Sequence, residues 1–235
     1  MATVILVRHG RTTANATGML AGRTAGVLLD DIGREQARLT GTRLAVVPVV
    51  GVVSSPLERC RETAEWILNE QTGTPVTPVE DDLTECDYGD WQGRSLSDLS
   101  TEKLWSVVQT QPSAVTFPNG EAMATMQSRS VAAIRRLDAA FEAEHGPGAV
   151  WVAVSHGDII KSILADALGM HLDLFQRINV GPASVSIVRY GANRPSVIAT
   201  NTDAGDLSWL AASTSAGDAP VGGGAGHQTP PASRA

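Results

Sequence analysis

The stretch Thr3-Val4-Ile5-Leu6-Val7-Arg8-His9-Gly10 is an apolar run that ends abruptly in a cation, an imidazole and a glycine. A short β-branched run with no polar break reads as a strand covered on both faces, as in the middle of a parallel sheet. Open α/β sheets bind ligands just beyond the C-terminal ends of such strands. This makes His9 a candidate nucleophile and Arg8 a candidate phosphate holder beside it, with Gly10 letting the backbone turn close to that phosphate.

Two further runs repeat the pattern downstream. Val49-Val50-Gly51-Val52-Val53 stops at Ser54-Ser55-Pro56-Leu57-Glu58, and Ala149-Val150-Trp151-Val152-Ala153-Val154-Ser155 ends in a second histidine and glycine, His156-Gly157. Helical spacing separates the runs. Ala37, Gly41, Leu44 and Ala45 predict a helix ending before Pro48, and Cys60, Ala64, Ile67 and Leu68 predict another. For the latter, Ser55 reads as N-cap, Pro56 as first helical residue and Glu58 as partner in a capping box. A short helical piece is expected around Leu104-Trp105-Ser106-Val107-Val108. A long helix from about Glu121 carries Met123, Met126, Ser130, Ile134, Leu137 and Phe141 on one stripe and stops at Gly146-Pro147-Gly148. After His156, the residues Ile160, Ile163, Leu164 and Ala167 predict one more helix. Strand-like runs return at Ser184–Tyr190 and Ser196–Thr200, and Pro75–Val79 reads as an edge strand, where proline is tolerated. The alternation predicts a layered α/β sheet with helices on both faces. From about Asp203 the composition shifts to Ala, Gly, Ser, Thr and Pro, which predicts a disordered tail over 203–235 behind a domain at 1–202.

The chain has 235 residues, 43% hydrophobic and 18% charged, enough for one α/β domain with a full core. Its formal net charge of -7 argues against a nucleic-acid or anionic-membrane partner, both of which demand a basic face. No run approaches the length of a membrane span, and residues 3–7 are too short for a signal peptide. Cys60 and Cys86 have no metal-ligand spacing and no disulfide framework around them, so the chain is expected in the reducing cytoplasm.

Four residues join His9 as candidates for chemistry. Arg59 lies at a helix N-terminus, where a cation is misplaced unless something negative binds there or a carboxylate such as Glu58 or Glu62 pairs with it. Glu85 lies in an acidic, glycine-containing loop with Tyr88 and Trp91, whose rings would bury part of the loop and raise a carboxylate pKa into the range a general acid needs. His156 ends a buried strand as His9 does. Arg8, Arg59 and His156 would surround a phosphoryl group, His9 would attack phosphorus, and Glu85 would protonate the leaving oxygen and later accept a proton from water. Thr12 and Asn15 either cap a helix or bind phosphate oxygens. The scheme requires no cofactor, and the sequence offers no obvious metal cage.

Arg8-His9-Gly10 after an N-terminal strand resembles the signature of the histidine phosphatase superfamily, which includes the cofactor-dependent phosphoglycerate mutases and many bacterial phosphatases. The resemblance continues through Asn15, Asp31–Ala37, Ser54–Ala64, Leu83-Thr84-Glu85, Tyr88-Gly89, Trp91-Gln92-Gly93, Asn119-Gly120-Glu121 and Val154-Ser155-His156-Gly157, covering roughly residues 3 to 190 in the family's order. It implies a three-layer αβα sandwich with a largely parallel central sheet, of the phosphoglycerate mutase type. It also implies a phosphohistidine at His9, phosphate binding by Arg8, Arg59 and His156 with help from Asn15 and Thr12, and Glu85 as proton donor. Gly157 and Arg11 are taken as further substrate-binding positions. Arg11 stands where family members often carry Glu or Gln, adding positive charge at the mouth of the site, and Asn119 replaces a glycine at a left-handed turn. The expected substrate is a small phosphorylated metabolite, and a homodimer is consistent with the resemblance.

Hydrolase, mutase and non-catalytic phospholigand-binding domain are the three readings. The glycolytic mutases resembling this chain carry an added basic, proline-rich segment after the glutamate loop, whereas residues 94–118 hold only Arg94 and Lys103 as cations, which favours hydrolysis. A binding domain predicts gaps in the catalytic set, and His9 and Glu85 are both present.

Overall fold

The three apolar runs become neighbouring parallel strands, β1 (Thr3–Arg8), β2 (Gly51–Ser54) and β3 (Val150–Ser155), followed along the chain by β4 (Val185–Tyr190) and β5 (Pro195–Thr202). The structure, a computed structural model, describes residues 2–205 and 221–226. Its single five-stranded sheet has the order β2-β3-β1-β4-β5. β3 runs parallel to both β1 and β2, pairing Arg8 with Ser155 and Ser54 with Val154. β4 and β5 are antiparallel, β4 against β1 and β5 against β4. The short connection from β4 to β5 forces the second of these pairings, because a parallel pair needs a long crossover. The parallel half of the sheet carries the candidate residues.

Seven helices are described: α1 (Thr13–Ala16), α2 (Asp31–Leu44), α3 (Glu58–Asn69), α4 (Leu96–Leu99), α5 (Lys103–Thr110), α6 (Met123–His145) and α7 (Gly157–Ala167). The pleat sends alternate strand residues to opposite layers. Ile5, Val7, Val52, Val152 and Val154 pack with Leu44, Ala64 and Ile67 of α2 and α3. Val4, Leu6, Val53, Trp151 and Ala153 join the cluster of Met126, Ile134 and Phe141 from α6 and Ile160, Ile163 and Leu164 from α7. This double coverage is why the runs show no polar alternation, and it makes the sandwich three-layered as expected.

Two local expectations change. Pro75–Val79 does lie along the free edge of β2, but as isolated parallel bridges at Gly51–Val76 and Ser54–Val79 rather than a continuous ladder. Pro75 and Pro78 have no N–H to give, so the pairing is intermittent. At α3 the expected capping box does not form. The helix starts at Glu58 behind Leu57, which offers no side-chain cap, and the Glu58 carboxylate accepts from Gly26 N instead. Ser55 is occupied elsewhere, as described below. Asn119 adopts the left-handed turn that its position requires, at φ 56.

Of the tail expected from Asp203 onward, residues 206–220 and 227–235 lie outside the described residues. Residues 221–226, expected to be disordered, instead reach the C-terminal edge of the parallel strands. There Val221 is buried in the main core, and the backbone of Gly222 and Gly224 bonds to Arg8. Glycine-rich composition signals little to bury, but a bare backbone is itself a strong acceptor for a buried guanidinium.

Candidate active site

All three parallel strands deliver chemistry at their C-terminal ends. β1 ends at Arg8 and continues to His9, β2 leads through Ser55 to Arg59 in the first turn of α3, and β3 leads to His156, which caps α7. Each of these five residues is at most 3% exposed. Glu85, on the loop before Tyr88, is 2% exposed, and Tyr88 and Trp91 are buried in the core beneath the loop as the aromatic content implied.

The ring of His9 is fixed by its backbone. Nδ1 lies 2.7 Å from the Gly10 carbonyl, which can only accept, so Nδ1 carries the proton and Nε2 the lone pair. Arg59 Nε donates to that Nε2 at 3.3 Å, and Arg59 Nη2 donates to the Gly22 carbonyl at 2.7 Å. Burial, followed by the charges of Arg59 and Arg8, holds the His9 pKa well below its ordinary value, which keeps the imidazole neutral near pH 7. His156 sits 5.3 Å from His9, centroid to centroid, with its Nε2 2.8 Å from Ser55 Oγ. Burial and the same arginines depress its pKa as well. Cys60 approaches His156 Nε2 at 3.4 Å, but burial pushes the thiol up to about 12 and leaves it un-ionised.

Glu85 is placed from behind. Arg23 Nε and Arg129 Nη2 both donate to its main-chain carbonyl, and Glu121 pairs with both arginines at 3.0 and 2.6 Å. Its Oε1 accepts from Cys86 N at 2.9 Å. Burial first, and then the carboxylate of Asp158, raise its pKa to about 7, against the opposing pull of the Cys86 amide, Arg59 and Arg8.

A pocket brings His9, Arg59 and Glu85 together with Thr12, Asn15 and Gly22. Thr12 is the N-cap of α1, its hydroxyl bonding to Asn15 N, while Asn15 Oδ1 accepts from Thr12 N. The capping reading therefore holds, and the Asn15 amide nitrogen is left over for a ligand. Two guanidinium nitrogens at the site, Arg8 Nε and Arg59 Nη1, are buried without a hydrogen-bond partner. Orphaned cationic donors in a dry site are costly unless an anion completes them.

Two expected ligand positions are placed differently, and Gly10, expected to let the backbone turn close to the phosphate, has a packing role. Arg11 Nε pairs with Asp30 at 2.8 Å and is not among the pocket-lining residues, so its charge is offset at once. Gly157 is not among the pocket-lining residues, but it faces Gly222 and Gly223, which are. Gly10 is needed for packing: a Cβ there would collide with the Gly33 carbonyl of α2. Sequence reasoning missed Ser55 as the partner of His156, the Arg23 and Arg129 clamp, and Asp158, a carboxylate fully buried in an otherwise apolar helix turn. That last anomaly is visible in the sequence.

Residues 4–203 match the family described as histidine phosphatase superfamily (branch 1). The chain belongs to the histidine phosphatase superfamily. It is 31% identical over 169 residues to PhoE, an uncharacterized phosphatase of Bacillus subtilis (strain 168), covering 72% of this chain and 79% of that one. It is 33% identical over 167 residues to the adenosylcobalamin/alpha-ribazole phosphatase of Salmonella typhimurium, covering 70% and 79%. Among solved structures, the alpha-ribazole phosphatase from Shigella flexneri superposes with a TM-score of 0.73 at 26% identity, covering 85% of this chain and 96% of that one. The superfamily and its phosphatase relatives make this chain a phosphomonoesterase of the phosphoglycerate mutase-like fold, as expected.

Proposed function

We propose that the chain hydrolyses a small phosphorylated metabolite in two steps through a phosphohistidine at His9, with Glu85 exchanging the proton. The observation that carries the reading is the His9 ring: its far nitrogen is tied to the Gly10 carbonyl, which leaves Nε2 unprotonated in a pocket shared with Arg59 and Glu85. In the first step the Nε2–P bond forms as the bond from phosphorus to the leaving oxygen breaks, and Glu85 gives that oxygen its proton. In the second, Glu85 as carboxylate takes a proton from water, the water oxygen bonds to phosphorus, and the Nε2–P bond breaks to release inorganic phosphate. A carboxyl with a pKa of about 7 serves both steps near neutral pH. Arg59, Arg8 and the neutral His156 would offset the charge of the equatorial oxygens, and Thr12 and Asn15 line the same pocket.

Hydrolysis is favoured over phosphoryl transfer to a second substrate because Arg94, one of two cations in 94–118, is engaged by Glu102 at 2.8 Å. The test is rapid-quench trapping of acid-labile, base-stable label on His9 from a chromogenic phosphomonoester, followed by a screen of phosphorylated metabolites for phosphate release. His9→Ala is expected to abolish both label and turnover; undiminished turnover in that variant would overturn the mechanism. Activity that depends on priming with a bisphosphorylated sugar acid, without phosphate release, would make the chain a mutase. A cytoplasmic location is supported by two free thiols, Cys60 and Cys86. Among the described residues no helix is long and apolar enough to cross a membrane.

A further inference from the structure

Arg59 lines the pocket, whereas Arg8, its partner in the expected phosphate site, does not. Gly222 and Gly223 line the pocket in its place. Residues 221–226 lie across its guanidinium: Nη1 donates to the Gly224 carbonyl at 2.9 Å and to the Val180 carbonyl at 2.9 Å, and Nη2 lies 3.5 Å from the Gly222 carbonyl. Gly223 sits flat on the guanidinium, so that a Cβ there would stand 2.8 Å from Arg8 Cζ. Both Gly222 and Gly223 have left-handed backbone, at φ 74 and 75, which glycine alone adopts freely.

The segment is anchored as well as stacked. Gly222 N donates to Asp158 Oδ2 at 3.0 Å, the same oxygen that accepts from Tyr88 OH at 2.7 Å, and Lys161 Nζ lies 3.5 Å from Asp158 Oδ1. Val221 is buried beside it. Val221, Gly222 and Gly223 are among the residues that line the pocket together with His9, Arg59 and Glu85. The backbone carbonyls over Arg8 are neutral acceptors in the place where an anion would form stronger, charge-assisted bonds.

We propose that Gly222–Gly224 form a strap, latched to Asp158, that competes with the phosphoryl group for Arg8, so that substrate binding and strap docking exclude one another. The proposal rests on the reading of Arg8 as a phosphate ligand. A strap docked most of the time lowers apparent phosphate affinity by the fraction of molecules left open, about tenfold for one open in ten. Substrates able to engage Arg8 fully therefore displace the strap, and weaker anions do not.

The experiment uses the full chain and inorganic phosphate as probe. In the wild type, hydrogen exchange of the peptide containing residues 221–226 is expected to accelerate at saturating phosphate, as the Gly222 amide leaves Asp158. In Gly223→Val, where the added side chain cannot sit on Arg8, inhibition by phosphate is expected to tighten about tenfold while the exchange of this peptide is already fast without phosphate. Phosphate that inhibits both proteins equally, or that protects the peptide, would overturn the strap and leave the phosphate site intact. Weaker inhibition in Gly223→Val would likewise overturn it, by showing that the strap completes the site. Inhibition of neither protein would overturn the phosphate-site reading on which the proposal rests. The exchange measurement on the wild type stands even if the variant fails to fold.

Discussion

Glu85→Gln should make the protein more stable above neutral pH and leave its stability unchanged in acid. In the unfolded chain the carboxyl titrates near its ordinary value of 4.5, and in the native protein near 7. Below pH 4.5 both states are protonated and the group contributes no difference. Between 4.5 and 7 the unfolded state gives up the proton while the folded state holds it, so folding stability falls as pH rises through that window and levels off above 7. At 1.36 kcal/mol per pK unit, the accumulated penalty at pH 8 is about 3 kcal/mol. Glutamine is isosteric, and its side-chain oxygen can still accept from Cys86 N, so the substitution removes the penalty without removing that bond. Thermal unfolding followed by tryptophan fluorescence should show a gain in Tm of roughly 6 to 12 °C at pH 8 and almost none at pH 4, for a domain of this size. The same variant should lose about 10²- to 10⁴-fold in kcat/KM on alkyl phosphates, whose leaving oxygen needs a proton, and far less on p-nitrophenyl phosphate, whose leaving group does not. A stability gain equal at both pH values would refute the argument. So would a loss of activity indifferent to the leaving group.

Other outcomes follow from the same geometry. Gly10→Ala places a methyl against the Gly33 carbonyl and should destabilise the fold by about 1–3 kcal/mol in urea unfolding, even though it touches no substrate. Ser55→Ala deprives the buried His156 Nε2 of its hydroxyl partner and should cost about 1–3 kcal/mol of stability, with a rise in KM; a KM equal to the wild type's would show that Ser55 does not orient the ring.

Much of the candidate site is visible in the chain because each residue interrupts a strong local pattern. Arg8 and His9 break a buried strand, His156 breaks another, and Arg59 puts a cation at a helix end that prefers anions. Glu85 stands out less by itself, and its selection depended on Tyr88 and Trp91 burying the loop around it. Arg11 misled because its sequence neighbourhood shows a charge and not the partner; Asp30, nineteen positions on, becomes adjacent only when α2 packs against the β1 loop. Ser55 misled for the opposite reason: a serine before Pro56 fits a helix cap so well that nothing local points to a histidine 101 residues away.

The sequence by itself determined the layered α/β class, the three strands of the parallel half and the chemical set at their ends, because burial on two faces and a cation or imidazole at a strand terminus are written in consecutive residues. Only the tertiary structure decided that β3, late in the chain, lies between β1 and β2 and so brings His156 to His9. It alone decided the His9 tautomer, the proton affinity of Glu85 and the place of residues 221–226 over Arg8. Those properties depend on groups far apart in the chain that meet in a dry interior, where a single carbonyl or carboxylate is decisive and where no local pattern records which one it will be.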